Sequence, residues 1–414
     1  MIVAHFADLH YCPKHLEQVD KCFGYAVEHA IRSGAQLAVI AGDSFDASMG
    51  IHEPAFSVYL SRVMQLADEM PVVVLQGTFS HDRLGNLEAI KLLRANFPIL
   101  VADTPGCYVY IIDKDFPGNI DGKPCWRPAE VFLQVNDTAL CCVNVLPSLN
   151  KADLRMAYHP NGPGGYVTDL LVSWSATNTA CRAEGIPTIL AAHGTVNGSV
   201  TESKHAMVSP DHEFSMETLF TAGTSAVMLG HIHAHQSWQD NGRVAAYSGS
   251  IARLVHGHDG PVGYLLWDVM EAGSFCELVP TPARQLVDVT FDDLPDIAEL
   301  RGLPLDGAHV RLRYSVDQNE AHAVDKDALR QALIEAGAAD VKIEPSVYPT
   351  QSVRSPGIGR ALGLMEKVAH WAKTTGDEDR VQGLRDRLAR LQAEEPEQIV
   401  ARLVQEDAEC SRSA

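Results

Sequence analysis

Short apolar runs recur along the first 280 or so residues, and they constrain the fold more than any other feature of the sequence. Each run is rich in Val, Ile, Leu or Ala and closes on a polar residue or Gly. They are MIVAHF, LAVIAG, PVVVLQG, TILAAHG, AVMLGH, VAAYSGS and GYLLWDV. Runs of this length, joined by amphipathic stretches, are typical of buried strands that alternate with helices. The pattern predicts a layered α/β domain whose ligand lies where the strands end.

The pattern changes after about residue 283. In HVRLRYSV, apolar residues alternate with polar ones, as in a half-exposed strand. The apolar positions are Val310, Leu312, Tyr314 and Val316. We predict a helix over 325–336, ended by Gly337, and then a strand at VKIE. Together these elements predict a small β-α-β domain.

From Pro356 the chain is predicted to be helical nearly to its end, with a break at Pro396. Apolar residues form one stripe on the predicted helix VQGLRDRLARL. They are Val381, Leu384, Leu388 and Leu391. The stripe fits either a helix packed on its own domain or a partner-binding helix. The predicted domains are therefore 1–282, 283–350 and 351–414.

Composition and charge limit the classes of partner. A chain of 414 residues predicts two or three domains. Its net charge of −20 argues against a protein that coats itself with nucleic acid, so such contacts must be local or supplied by a partner. Nine cysteines without a C-x-x-C pair predict reduced thiols. Since neither a signal peptide nor an apolar run of about 18 residues is evident, we expect a cytoplasmic protein without membrane contact.

Five groups of metal-ligand residues close five successive predicted strands. They are Asp8 and His10 in DLH, Asp43 and Asp46 in GDSFD, Ser80, His81 and Asp82 in GTFSHD, His193 in HG, and His231 and His233 in GHIH. A lone His at a strand end is more often structural, but five such groups in order are hard to obtain by accident. Asp-x-His and His-x-His on extended backbone place both side chains on one side of the strand.

This ligand set suits phosphate ester hydrolysis. Two cations about 3.5–4 Å apart can bind an anionic phosphodiester, activate water and stabilise the leaving oxygen. A shared carboxylate must hold the ions together, and Asp43 is the natural bridge. Imidazole and carboxylate ligands without thiolate favour manganese, iron or zinc over magnesium or calcium.

The order of these motifs, followed by YSGSIAR, resembles the calcineurin-like metallophosphoesterases over about residues 1–270. YSGSIAR, GPVGYLLWDV and the later segments resemble, more narrowly, the SbcD-type nuclease subunits of bacterial DNA-repair complexes. The resemblance implies a layered β-sandwich flanked by helices over 1–282. It also implies a β-α-β capping domain that contacts DNA and a C-terminal helical segment that binds an SbcC-like coiled-coil ATPase.

The resemblance also implies residue roles. The first metal would be held by Asp8, His10, Asp43 and His233, and the second by Asp43, His193 and His231. Two divalent ions are expected, manganese first, with iron or zinc as alternatives. His81 would be catalytic near the leaving group, Asp82 would orient it, and Asp46 would be a supporting carboxylate. The remaining histidines considered match no ligand position and are predicted to be structural or surface residues: His5, His15, His29, His52, His205, His235, His256 and His258.

The loop QGTFSHD departs from the family pattern. The family has Gly-Asn-His-Asp there, with Asn on the second metal, whereas this chain has two more residues between Gly and His. Aligned from the His, Ser80 takes the Asn position and would be a weaker ligand, with Thr78 or solvent as the next candidates. Asn86 is predicted to cap the following helix instead.

The leading functional hypothesis is a metal-dependent DNA nuclease, exonuclease or endonuclease, that works as a homodimer with an SbcC-like ATPase in DNA end processing and double-strand break repair. A small-molecule phosphodiesterase acting on cyclic nucleotides is the first alternative, since a fold does not fix a function. A DNA-end-binding scaffold whose second metal site has decayed is the second alternative. The segments after residue 283 favour the nuclease.

Overall fold

The computed structural model describes residues 1–46, 49–112, 124–129, 138–149, 159–201, 213–258, 260–348 and 363–402. Most of the described strands belong to two large sheets. The strands are β1 (Ile2–Phe6), β2 (Leu37–Ile40), β3 (Val72–Leu75), β4 (Ile99–Ala102), β5 (Gly106–Ile112), β6 (Pro124–Pro128), β7 (Thr138–Leu146), β8 (Thr188–His193), β9 (Thr195–Val196), β10 (Glu213–Phe214), β11 (Ala226–Gly230), β12 (Gln236–Asp240), β13 (Arg243–Tyr247), β14 (Gly263–Val269), β15 (Ser274–Pro280), β16 (Leu286–Phe291), β17 (His309–Asp317) and β18 (Asp340–Tyr348).

Helices connect many of these strands. They are α1 (Leu16–Arg32), α2 (Pro54–Ala67), α3 (Leu84–Lys91), α4 (Gly162–Ala183), α5 (Met216–Phe220), α6 (Ile297–Arg301), α7 (Lys326–Glu335), α8 (Leu364–Thr375) and α9 (Val381–Ala393). Short 3₁₀ helices lie at Pro13–His15 and Glu378–Arg380. Among the residues described, no helix is both long and apolar enough to cross a membrane.

The first large sheet has six strands in the order β15-β14-β1-β2-β3-β4, and the second has seven in the order β12-β13-β11-β8-β7-β5-β6. In the first, β1 to β4 run parallel, and in the second β7, β8, β11 and β13 run parallel. All seven predicted apolar runs form strands. Because parallel strands end at the same edge of a sheet, polar residues that follow them gather there.

The two sheets pack face to face, and helices cover their outer faces. On β1, Val3 belongs to the apolar layer between the sheets, together with Ile189 and Met228 of the second sheet. The alternate residues Ala4 and Phe6 pack outward in the cluster that includes α1 and α2. A third cluster joins the outer face of the second sheet to α4 and α5. This period-two division makes both faces of the central strands apolar and confirms the predicted β-sandwich flanked by helices.

A three-stranded sheet in the order β16-β17-β18 follows the sandwich. The predicted strand at 309–316 is confirmed as β17, whose apolar residues are buried in alternation. The predicted helix is confirmed as α7, with Asp325 accepting hydrogen bonds from the backbone N–H of Asp327 and Ala328. Gly337 follows in the left-handed region, at φ 100°. The sequence missed β16 and α6, so the domain is larger than β-α-β.

The chain divides into two compact units: Met1–Tyr314 with Asp325–Pro345, and Ser315–Val324 with Ser346–Ala414. The domain limits at 282 and 350 stay predictions. In the second unit, α9 ends at Ala393 and helical backbone resumes at Pro396, as predicted for a break there. The apolar stripe of α9 is half-buried at its start, whereas Leu391 is 62% exposed.

Candidate metal centre

The predicted ligand residues gather where parallel strands of both sheets end. They are Asp8 and His10 after β1, Asp43 after β2, His81 after β3, His193 at the end of β8, and His231 and His233 after β11. Their atoms form three overlapping groups in which every ligand atom lies within 4.8 Å of the others. The groups are Asp8, His10 and His233; Asp43, His193 and His231; and His10, Asp46 and His81. The strand ends therefore bring the predicted residues together.

The backbone is strained at four of these residues. Asp8, His10 and Asp43 have φ near 50°, and His231 has φ 110°. Non-Gly residues rarely adopt these conformations, which cost of order 1–3 kcal/mol each. Backbone hydrogen bonds support the strained residues, including His10 N–H to the Asp43 carbonyl at 3.1 Å. Strain concentrated on one cluster of acidic and imidazole side chains is typical of functional sites.

The first group is built around two imidazoles that face each other. His10 Nε2 and His233 Nε2 are 2.9 Å apart. Such nitrogens either share one proton or face a common cation. The Asp8 carboxylate beside them accepts the backbone N–H of His231 at 2.9 and 3.1 Å, which fixes its position.

The second group is held more rigidly. His193 Nδ1–H donates to the Ala41 carbonyl at 2.8 Å, which sets the tautomer and turns Nε2 toward Asp43 Oδ1, 3.4 Å away. His231 Nε2 is buried and has no hydrogen-bond partner among the described residues. A buried imidazole nitrogen is costly unless something binds it. A cation between Asp43, His193 and His231 would satisfy it.

The third group concerns the predicted catalytic histidine. His81 Nδ1 lies 3.7 Å from Asp46 Oδ1, and its ring meets that of His10 edge to face at 4.9 Å. Asp82 is buried and accepts backbone N–H bonds from Gly77 at 2.8 Å and Phe45 at 3.3 Å. Asp82 therefore joins the loop after β3 to the loop after β2. Asp46, rather than Asp82, lies beside the His81 ring, so these contacts favour Asp46 as the residue that orients His81. The catalytic roles of His81 and Asp82 stay predictions.

Within QGTFSHD, Thr78 makes contact with the second group. Its N–H donates to Asp43 Oδ1 at 2.6 Å, and its Oγ1 lies 3.2 Å from Asp43 Oδ2 and 3.4 Å from His193 Nε2. Ser80 is exposed at the surface of the loop. The predicted ligand role of Ser80 is therefore not favoured by the contacts, which point to Thr78.

Asn86 does not cap the next helix, so that prediction is wrong. Helix α3 begins at Leu84 with Arg83 as its N-cap residue, and no side chain caps it. The Asn86 side chain is buried and donates to the Met49 carbonyl at 3.2 Å. Asn86 thus ties α3 to the loop after β2, because its position in the first turn turns its amide inward.

Two glycines permit the close approach of these loops. A Cβ on Gly77 would stand 2.1 Å from Asp43 N and 2.3 Å from Asp43 Oδ1. A Cβ on Gly42, which also has φ 90°, would stand 2.3 Å from His193 Nδ1. Both separations are far inside van der Waals contact, so the ligand spacing depends on glycine at both positions.

Burial dominates the electrostatics of the site. It raises the pKa of Asp8 to about 6 and lowers the pKa of His10 to about 3 and that of His231 to about 4. Both imidazoles are therefore neutral near pH 7, as metal ligands must be. Burial opposes the charged forms of His193 and Asp43 as well. Their mutual attraction outweighs it, raising the pKa of His193 to about 9 and holding that of Asp43 well below its usual range. A cation that binds beside Asp43 would therefore displace the proton of His193.

The groups open into a cleft of about 490 Å³. Leu254 and Val255 form part of an apolar wall, and His15 and His258 also line the cleft. Lys14 is the one Lys or Arg side chain among the described lining residues. The sequence analysis missed these cleft residues because none belongs to a ligand motif. They converge only when the loop after β1 meets the loop before β14.

The donor set fits two divalent cations. Each of two groups offers carboxylate oxygen and imidazole nitrogen atoms that lie within 4.8 Å of one another. One of them contains His231 Nε2, which has no hydrogen-bond partner in the part of the chain that the structure describes. Nitrogen and oxygen donors without thiolate match manganese, iron or zinc. Asp43 interacts electrostatically with His193 of the second group and with His10 of the first. This position between the groups suits a bridging carboxylate.

Comparison with known proteins gives distant structural similarity. No family model and no curated protein matches the chain. Among solved structures, the GAP50 anchor of the inner membrane complex of Plasmodium is 14% identical, with a TM-score of 0.43 over 68% of this chain and 85% of that chain. A dimetal phosphatase from Danio rerio is 11% identical, with a TM-score of 0.39 over 67% and 98%. An archaeal phosphodiesterase is 10% identical, with a TM-score of 0.30 over 67% and 100%.

Proposed function

We propose that this protein is a metal-dependent phosphodiesterase with two divalent cations. The observation that carries the proposal is the pair of buried ligand groups at one edge of the sandwich, Asp8-His10-His233 and Asp43-His193-His231. Backbone strain at four of these residues supports it, because such strain clusters at active sites and ligand-binding sites. Manganese is the expected ion, with iron or zinc as alternatives.

The protein's own groups would divide the work of hydrolysis. Bound cations would polarise the phosphate and lower the pKa of water from about 15.7 to about 7. Asp43 would hold the two ligand groups in register, and Lys14 would attract the anionic substrate into the cleft. His81 lies on the cleft with Asp46 beside its Nδ1, so Nε2 is the atom that would give a proton to the leaving oxygen.

We further propose that the substrate is DNA and that an SbcC-like ATPase is the partner. The resemblance of the later segments supports this. On the third sheet, Arg311 pairs with Asp288, while Arg313 and Lys342 contact Glu344. The strands of this sheet carry acidic as well as basic side chains, which fits a subunit that borrows DNA affinity from its partner.

The second compact unit supports the partner proposal. Trp371 on α8 is 43% exposed and Leu391 on α9 is 62% exposed. Exposed apolar side chains on two neighbouring helices suit a groove on another protein. By the same resemblance, we propose that the protein is a cytoplasmic homodimer. Sedimentation of the purified chain measures its oligomeric state.

A small-molecule phosphodiesterase is the second candidate, and the cleft favours it. A volume of about 490 Å³ suits one small ligand, and Lys14 supplies one cationic side chain. Leu254 and Val255 would offer an apolar surface to a base or another organic group.

A hydrolysis assay separates the candidates. The purified chain is given single-stranded DNA, double-stranded DNA or a cyclic nucleotide, each with manganese, with and without the candidate ATPase. Cleavage of DNA that increases with the ATPase supports the nuclease. Faster turnover of the cyclic nucleotide, unaffected by the ATPase, supports the small-molecule enzyme. DNA binding without hydrolysis of any phosphodiester contradicts both and leaves the scaffold alternative.

A further inference from the structure

We propose that Thr78 supplies an oxygen ligand to the second cation, so that the loop QGTFSHD preserves a complete two-metal site. The inference rests on the proposed function, because it requires a cation between Asp43, His193 and His231. Thr78 is not ionisable and so is not a member of the three Asp and His groups. Its hydroxyl contacts Asp43 and His193, which are two members of the second group.

The spacing of the donor atoms carries the assignment. Thr78 Oγ1 is 3.2 Å from Asp43 Oδ2 and 3.4 Å from His193 Nε2, and His193 Nε2 is 3.4 Å from Asp43 Oδ1. Atoms that bind one cation at about 2.0–2.2 Å, with tetrahedral or octahedral angles, stand roughly 3.0–3.5 Å apart. Thr78 Oγ1 and His193 Nε2 therefore already have the separation of two ligands around one ion, and each lies within 3.4 Å of an Asp43 carboxylate oxygen.

The loop geometry explains why Thr78 rather than Ser80 lies at the metal. The Thr78 carbonyl accepts the N–H of His81 at 2.8 Å and the N–H of Asp82 at 2.9 Å. This turn pushes Phe79 and Ser80 outward, where Phe79 is 44% exposed. The two extra residues thus form the tip of the turn, and His81 returns to the cleft immediately after them.

The backbone N–H of Thr78 makes its own hydrogen bond, so the side chain can be changed without losing it. Its N–H donates to Asp43 Oδ1 at 2.6 Å whatever side chain the residue carries. A substitution that removes only the hydroxyl keeps this bond and leaves Asp43 in place. Thr78→Val has nearly the same shape without the hydroxyl, and Thr78→Ser keeps the hydroxyl.

The test is calorimetric titration of manganese chloride into the chelator-treated full-length chain. The variants are Thr78→Val, Thr78→Ser and, as the matched control from the same loop, Ser80→Ala. We expect the parent to bind two ions and Thr78→Val to bind the second at least about 10-fold more weakly, the size seen when groups around a metal are removed. Thr78→Ser and Ser80→Ala should bind like the parent.

The first ion's affinity and the thermal unfolding curve show whether each variant has folded. If Thr78→Val fails to fold, Thr78→Ala takes its place in the titration. Two ions bound by the hydroxyl-deficient variant as tightly as by the parent would overturn the inference, as would a loss of the second ion in Ser80→Ala. A parent that binds fewer than two ions contradicts the proposed function itself, and the inference falls with it.

Discussion

Asp43 is the residue on which the site depends most. It is buried, adopts φ 51°, and contacts Thr78 and His193 through its two carboxylate oxygens. Its charge also acts on His10 in the first ligand group. A carboxylate in this position places negative charge next to both ligand groups. Its removal should therefore weaken the binding of two ions rather than one.

We expect Asp43→Ala to abolish phosphodiester hydrolysis and to lower bound manganese well below two ions per chain. A bridging carboxylate serves both cations, and without it Asp8 would be the one carboxylate left among the described residues of the two ligand groups. Inductively coupled plasma analysis of the dialysed protein measures the ions. Ser80→Ala is the control, since Ser80 is exposed. Two ions retained in the Asp43 variant would remove Asp43 from the bridging role.

His81→Ala should leave manganese binding intact while turnover falls about 10²–10⁴-fold, as for the loss of a general acid. Asp46→Ala should have a smaller effect in the same direction, because Asp46 acts through His81. Single-turnover kinetics and metal analysis together check both variants. Loss of metal in His81→Ala would make His81 a ligand, through the third group with His10 and Asp46.

The sequence predicted which ligand candidates come together better than it predicted the contacts of the residues beside them. His193, His231 and Asp43 could be chosen because each lies at or just after the end of a buried strand, and strand ends meet regardless of loop detail. Strand ends do not show whether Thr78 or Ser80 lies at the second metal. They also do not show whether Asp46 or Asp82 orients His81. Both choices depend on where one turn closes, which is fixed by hydrogen bonds between separate loops.

At the scale of elements, the site depends on close approach between the loops after β2 and β3. Gly77 lies where those loops touch, and a methyl group there would collide with the backbone and side chain of Asp43. Gly85, in helix α3, has no atom within 4 Å of the corresponding position. Gly85 therefore serves as a control for Gly77, because it lies on the other side of the same loop and has room for a methyl group.

We expect Gly77→Ala to lower the free energy of unfolding by about 1–3 kcal/mol, as overpacking does, and to weaken metal binding. Gly85→Ala should raise the free energy of unfolding by roughly 0.5 kcal/mol, because alanine favours helix. Urea unfolding of both variants gives the two values. If Gly77→Ala and the parent had equal free energies of unfolding, the loops after β2 and β3 could move apart without loss of stability.

On the scale of the whole molecule, the candidate metal ligands and the last two helices belong to different compact units. The β-sandwich has its own apolar clusters, which draw on residues of the first unit. Deleting residues 363–414 should therefore leave hydrolysis of a small model phosphodiester unchanged. It should abolish co-purification with the candidate ATPase. Retained association would place the ATPase contact elsewhere on the chain.

We propose that hydrolysis requires both cations bound around Asp43. The most direct measurement titrates manganese into the chelator-treated chain and records, at each point, the ions bound per chain and the hydrolysis rate of bis(p-nitrophenyl) phosphate. We predict a rate near background with one ion bound and a rise in rate that follows binding of the second. Hydrolysis at full rate with one ion or in excess chelator would contradict the claim, and so would a chain that binds two ions without hydrolysing the ester.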